Sequence, residues 1–191
     1  MKAYILLTEG FEEVEALTTA DILIRAGIDV KLVKLPIDAD DIKNSFACGS
    51  HNIKVVPDLT LGKDVSIEEL MDGDCVILPG GMPGTKNLSA NSSCTTLIKA
   101  YFSADKKVAA ICAAPSVLGE NGLLNGKTAT CFPGNEEKLL GASVVPDGAV
   151  IDGNIITGKS MGSAVTFGLK VAEALLGKKT AEKIEASIYR G

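Results

Sequence analysis

The chain has 191 residues, of which 46% are hydrophobic and 23% charged, and its net charge is −5. That length and balance predict one globular domain over residues 1–191, large enough to bury a core without disulfide or metal staples. A net negative chain with no basic run is a poor partner for nucleic acid or an anionic membrane surface, and no apolar stretch approaches the ~18 residues of a membrane span.

The chain enters a strand-like run at once, Ala3–Thr8, with no signal-peptide pattern, so a cytoplasmic location is expected. The helix-like stretch Phe11–Ala26 follows, then a strand over Asp29–Leu35. Two short runs, Phe46–Cys48 and Ile53–Val56, flank Gly49-Ser50-His51-Asn52 and predict a β-hairpin. After a helix at Ile67–Met71 comes a buried strand, Asp74–Pro79, ending in the Gly-rich turn Pro79-Gly80-Gly81. A helix over Ser92–Ser103 leads to the strand Lys107–Cys112 and a helix over Ala113–Asn121. Strands at Lys127–Phe132 and Asn154–Thr157 and helices at Met161–Leu176 and Ala181–Tyr189 complete the pattern. Alternating β and α elements predict a mostly parallel sheet covered on both faces. In such sheets, sites form at the C-terminal ends of strands. Glu9-Gly10, Gly80-Gly81, Cys112 and Cys131 are all predicted at that rim.

Five cysteines (Cys48, Cys75, Cys94, Cys112 and Cys131) are widely spaced, with no C-x-x-C pair, and there is one histidine, His51. Zinc and dithiol motifs are disfavoured, no metal site is expected, and the thiols should be free. Cys112 stands apart. The apolar run Val108-Ala109-Ala110-Ile111 ends abruptly at this thiol, and Ala113-Ala114-Pro115 opens a helix. A strand-turn-helix corner presents a nucleophile in this way, with small neighbours relieving crowding. A helix N-terminus would also lower the thiol pKa. The same spacing fits a small apolar residue at the end of a buried strand.

Glu15 projects within roughly 40° of Phe11 on the first helix, on its apolar stripe, whereas Glu12 and Glu13 point elsewhere and are read as solvated. Burial and a neighbouring thiolate would both keep Glu15 protonated and able to donate a hydrogen bond or a proton. It reads equally as a first-turn glutamate complementing the helix dipole. The glycines at 80 and 81 let backbone N–H groups approach a ligand, as in an oxyanion pocket, or simply make a tight turn. Gly153-Asn154-Ile155-Ile156-Thr157-Gly158-Lys159-Ser160 matches a phosphate-binding P-loop letter by letter. Its context argues otherwise, because Ile155–Thr157 reads as a strand and Asp152-Gly153 as the turn before it.

Glu9-Gly10-Phe11-Glu12-Glu13-Val14-Glu15, Arg25-Ala26-Gly27-Ile28, Leu78-Pro79-Gly80-Gly81 with Asn87-Leu88, and Ala109-Ala110-Ile111-Cys112-Ala113-Ala114-Pro115 together resemble the ThiJ/PfpI family. The likeness is to its DJ-one/YajL branch, in order and spacing along nearly the whole chain. The resemblance implies a flavodoxin-like three-layer α/β/α sandwich with a short β-hairpin, and a homodimer. It also implies a Cys112 thiolate hydrogen-bonded by a protonated Glu15, with Gly80, Gly81 and Ala113 supplying N–H groups around the thiol. Several members carry a histidine after the next strand. Here Thr130-Cys131-Phe132-Pro133 puts Cys131 there, either as a second thiol able to resolve an oxidised form or as a buried spacer. Without an imidazole beside Cys112, peptidase and amidotransferase chemistry lack their base. Lys159 stands where some members carry arginine and is a candidate contact for an anionic ligand. The resemblance implies cofactor-free glyoxalase- or deglycase-type chemistry on a small carbonyl substrate or a glycated protein. The alternative is a redox-sensing, chaperone-like protein whose cysteine oxidises to a sulfinate.

Overall fold

In the computed structural model, which describes residues 1–189, seven strands form one sheet. In chain order these are β1 (Lys2–Leu7), β2 (Asp29–Lys34), β5 (Leu59–Thr60), β6 (Cys75–Leu78), β7 (Lys107–Ile111), β10 (Ala149–Asp152) and β11 (Ile155–Gly158). The remaining short strands are β3 (Ala47–Cys48), β4 (Lys54–Val55), β8 (Thr128–Ala129) and β9 (Ser143–Val144). The sheet order is β10-β11-β7-β6-β1-β2-β5, parallel throughout except for β10, which turns back on β11 through Gly153. The helices are α1 (Glu13–Arg25), α2 (Gly84–Ala90), α3 (Ser92–Ser103), α4 (Pro115–Glu120), α5 (Ala164–Leu176) and α6 (Lys178–Ser187).

Alternation along β1 shows how the three layers arise. Tyr4 and Leu6 face a cluster with Leu97, Ile98 and Tyr101 of α3 and Val117 and Leu118 of α4. Ala3, Ile5 and Leu7 face the opposite cluster, with Ala16 and Leu23 of α1 and Phe167 and Val171 of α5. Successive side chains of a strand point to opposite faces, so a strand apolar at every position must be covered on both. The α/β sandwich expected from sequence is the fold observed. Where α1 meets α5, Gly168 lets the helices close up: a Cβ there would sit 3.1 Å from the Ile22 Cβ.

Three expectations need correction. Lys127–Phe132 is not a strand of the main sheet; only Thr128–Ala129 is extended, pairing with Ser143–Val144 in a separate two-stranded piece. The position beside β7 is taken by β11, so this segment is tied to the sheet by side chains instead. Thr128 N–H donates to Asp152 Oδ2 and Thr130 N–H to Thr157 Oγ1. Cys131 consequently lies beyond a strand stub, one residue before the Phe132 N–H that bonds Cys112 O. The helix expected over Ile67–Met71 is a 3₁₀ turn over Glu69–Asp72. The helix over Gly84–Ala90, opened by a proline and a glycine, has no counterpart in the sequence reading.

One interior ion pair organises the edge opposite β10. Lys34, at the end of β2, is fully buried, and its Nζ lies 2.6 Å from Asp41 Oδ1. The same ammonium donates to the carbonyls of Asp41 (2.8 Å) and Phe46 (2.9 Å). It thereby fixes the connection that carries the chain into the β3–β4 hairpin.

Candidate active site

The site begins where β7 runs out. Cys112 has φ +66°, a left-handed conformation that is strained for a residue with a Cβ. Backbone bonds on both sides hold it there: Cys112 N–H donates to Gly158 O at the end of β11, and Phe132 N–H donates to Cys112 O, at 2.9 and 2.8 Å. The thiol is partly exposed, whereas Cys75, Cys94 and Cys131 are buried. Of the two readings left open by spacing, the corner is the one that forms.

Glu15 reaches the same point from the first turn of α1. It is 1% exposed, and its Oε2 accepts the Gly80 N–H at 2.8 Å. Its other oxygen, Oε1, is shut away from water with no hydrogen-bond partner. Gly80 is the wedge between carboxyl and thiol. A Cβ added there would lie 2.7 Å from Glu15 Oε2 and 2.8 Å from the Cys112 Cβ, so only glycine lets the two approach. The loops behind this pair are bound backbone to backbone, with Glu12 N–H donating to Gly80 O and Gly84 N–H to Gly10 O.

Burial pushes the Cys112 thiol up to about 12, the charge and hydrogen bonding of Glu15 push the same way, and the Ala113 N–H pulls it down. Burial likewise pushes Glu15 up to about 7, against the pull of the Gly80 N–H and of Cys112. Each group's charge opposes the other's, so near neutrality the pair carries at most one negative charge. α4 starts at Pro115, three residues beyond Cys112, and the Ala113 N–H just ahead of it pulls the thiol down without offsetting burial. Protonation of Glu15 removes the charge that opposes a Cys112 thiolate and leaves burial as the main cause raising the thiol. With Oε2 accepting the Gly80 N–H, the unpartnered Oε1 is the oxygen free to carry that proton.

The backbone donors divide their work. The Gly80 N–H is committed to Glu15 and faces no ligand, which corrects its assignment as an oxyanion donor. Among the described residues, the N–H groups of Gly81 and Ala113 have no oxygen partner, and both residues line a cavity of about 600 Å³ that includes Cys112. Phe132, Met82, Lys86 and Lys138 also line it. The sequence reading missed these last residues because they come from an unforeseen helix and from loops. Position after a strand's C-terminal end is the one signal that favoured them.

Cys131 and Lys159 are not among the residues lining the cavity. Cys131 is buried in the core cluster that also holds Leu118, Leu124 and Leu139, its thiol pushed up to about 11 chiefly by burial. Lys159 donates to Pro146 O and does not line the cavity. Nor is Glu13 solvated as expected; it is 3% exposed. Its Oε1 accepts the N–H groups of His51 and Ile53, and its Oε2 meets the His51 ring, clamping the β3–β4 turn onto α1. Burial pushes the Glu13 carboxyl up, but those hydrogen bonds outweigh it and hold it below the usual range. His51 is an exposed hairpin residue, remote in role from Cys112.

The match to known proteins covers most of the chain. A model of the DJ-1/PfpI family matches residues 1–174. Protein dj-1beta of Drosophila melanogaster is 36% identical over 184 residues, which cover 95% of this chain and 93% of that protein. The Parkinson disease protein 7 homolog of Danio rerio is 31% identical over 190 residues, 98% of this chain and 96% of that one. Among solved structures, a DJ-1 superfamily protein of Salmonella typhimurium superposes with a TM-score of 0.87 at 32% identity, covering 100% of this chain and 98% of that one. An oxidized DJ-1 of Toxoplasma gondii gives 0.85 at 28% identity, covering 98% and 97%. The chain belongs to the DJ-1/PfpI family.

Proposed function

We propose that this DJ-1/PfpI family member is a cofactor-independent cysteine enzyme acting on reactive 2-oxoaldehydes, of the glyoxalase or deglycase type. The observation that carries the reading is the half-satisfied Glu15 beside a thiol held at a strained corner. A buried carboxyl with one oxygen fixed and the other unpartnered is arranged to hold and move a proton.

In this reading Cys112 sulfur adds to the aldehyde carbon of the substrate. The aldehyde oxygen takes up the negative charge facing the Gly81 and Ala113 N–H groups, then the proton held by Glu15, giving a hemithioacetal and leaving Glu15 as a carboxylate base. Glu15 transfers the proton from that carbon to the adjacent one by way of an enediol, leaving a 2-hydroxyacyl thioester on Cys112. Water hydrolyses the thioester, releasing a 2-hydroxy acid and the free thiol. The sum is aldehyde plus water to hydroxy acid, with no external oxidant or reductant. Lactate formation from methylglyoxal by wild type, Cys112→Ser and Glu15→Gln tests it. Turnover that survives Cys112→Ser would end the proposal.

A second reading is supported by the oxidized state named for the Toxoplasma relative. Two equivalents of peroxide would take the Cys112 thiolate through a sulfenate to a sulfinate, releasing water at each step, with Glu15 hydrogen-bonded to the product. Selective two-oxygen addition at Cys112 in mass spectra, without carbonyl turnover, would favour this sensor. In either case we propose a homodimer, because α1 presents Val14, Leu17 and Ile24 to solvent, and Ile53 and Val56 are exposed as well.

A further inference from the structure

The cavity beside Cys112 is far larger than methylglyoxal needs. Its volume of about 600 Å³ falls in the range of sites that enclose drug-sized molecules. Its walls are mainly apolar, and two large side chains, Met82 (51% exposed) and Phe132 (47%), lie uncovered there. Large apolar side chains left in water beside a reactive group mark a surface that a ligand covers. The charge of the lining is equally specific. Lys86 and Lys138 are exposed and have no carboxylate partner among the described residues. The one acidic lining residue, Glu120, accepts a hydrogen bond from Ser89 Oγ at 2.6 Å.

We infer that the cavity selects 2-oxoaldehydes whose carbonyl end reaches Cys112 and whose apolar body ends in a carboxylate. Phe132 and Met82 cover the body, and Lys86 and Lys138 receive the anion. This inference rests on the carbonyl reading above for its reactive end; the apolar body and the anion follow from the cavity alone. Each buried methylene is worth about fourfold in affinity, and each rim lysine a few-fold through a screened ion pair.

The test compares kcat/KM for methylglyoxal, phenylglyoxal and 4-carboxyphenylglyoxal. The carboxylated aromatic is expected to exceed methylglyoxal by about 30-fold or more, from burial of its ring. In the double variant Lys86→Ala/Lys138→Ala, the ratio of 4-carboxyphenylglyoxal to phenylglyoxal should fall about fivefold. Raised salt should lower the same ratio in wild type. Calorimetric binding of 4-acetylbenzoate, a ketone that cannot rearrange, to Cys112→Ser supplies a readout independent of turnover. Lysine-dependent binding of that ketone with no turnover of any aldehyde would leave the cavity assignment standing and defeat the catalytic reading. Turnover of methylglyoxal as fast as the aromatics, with no binding of 4-acetylbenzoate, would overturn the inference and leave the catalytic reading intact. An unchanged substrate ratio in the double variant would also overturn it.

Discussion

Two ionisable groups are buried in this molecule in opposite ways. Lys34 is surrounded: a carboxylate at 2.6 Å and backbone carbonyls take up its protons, and its environment is complete. Glu15 is half surrounded: one oxygen is bonded to Gly80 N–H and the other has nothing. A complete environment makes a buried charge into a fixed strut, because removing either partner leaves the other desolvated and alone. An incomplete one leaves a group whose proton can move, at a cost in stability that the rest of the fold must absorb.

The sharpest way to break the contrast is at the strut. Lys34→Met should lower the unfolding free energy by about 3–5 kcal/mol, since Asp41 stays buried without its cation. Urea denaturation measures it, and a loss under 1 kcal/mol would show that the pair is dispensable.

At Glu15 the prediction concerns pH. Its carboxyl binds a proton more tightly folded, at about 7, than its ordinary value of 4.5. The folded state therefore gains protons relative to the unfolded one. Its stabilising effect is full below pH 4.5 and is lost as pH rises through 7, by roughly 3 kcal/mol in all. Glu15→Gln should remove that slope. His51, also raised, by hydrogen bonding to Glu13, loses stability in the same direction, but it is common to both proteins and cancels in the difference. Urea midpoints of the two proteins from pH 4 to 8 that run parallel would refute the assignment.

A third change attacks the wedge. Gly80→Ala places a methyl between Glu15 and Cys112 and should cost about 1–3 kcal/mol through overpacking. The rate of Cys112 alkylation should also change, because the carboxyl can no longer lie against the thiol. An unaltered alkylation profile against pH would show that contact to be irrelevant. The smallest effect is expected at Thr85, whose buried Oγ1 also has no partner. Thr85→Val removes an unsatisfied hydroxyl at constant shape and should be neutral or stabilising by up to about 1 kcal/mol. A loss of that size in thermal unfolding would mean that the hydroxyl is bonded after all.

These two regions were unequally legible in the sequence. Cys112, Glu15 and the glycine pair could be found because each sits at a local feature: a strand end, an apolar helix stripe, a turn. The central strands β1, β6 and β7 could be found because four or five apolar residues in a row leave few alternatives. The Lys34–Asp41 pair could not, since a lysine in a strand reads as solvent-facing and its partner lies beyond an irregular connection. Glu13 failed for the same reason. Its partners are backbone N–H groups of a hairpin turn at positions 51 and 53, brought to it only by the fold. Strands as short as Leu59–Thr60 and Ser143–Val144 carry too few residues to show a period. Lys127–Phe132 had the composition of a sheet strand but lost its place to β11, a competition that only the whole topology decides.

The φ of +66° at Cys112 bears on the history of the position. For an ordinary side chain this conformation costs about 1–2 kcal/mol, and glycine escapes the cost. Lineages screened only for resistance to heat should therefore drift at residue 112 towards glycine or asparagine, discarding the sulfur as they gain stability. A cysteine kept here against that drift implies that something other than stability has been selecting it.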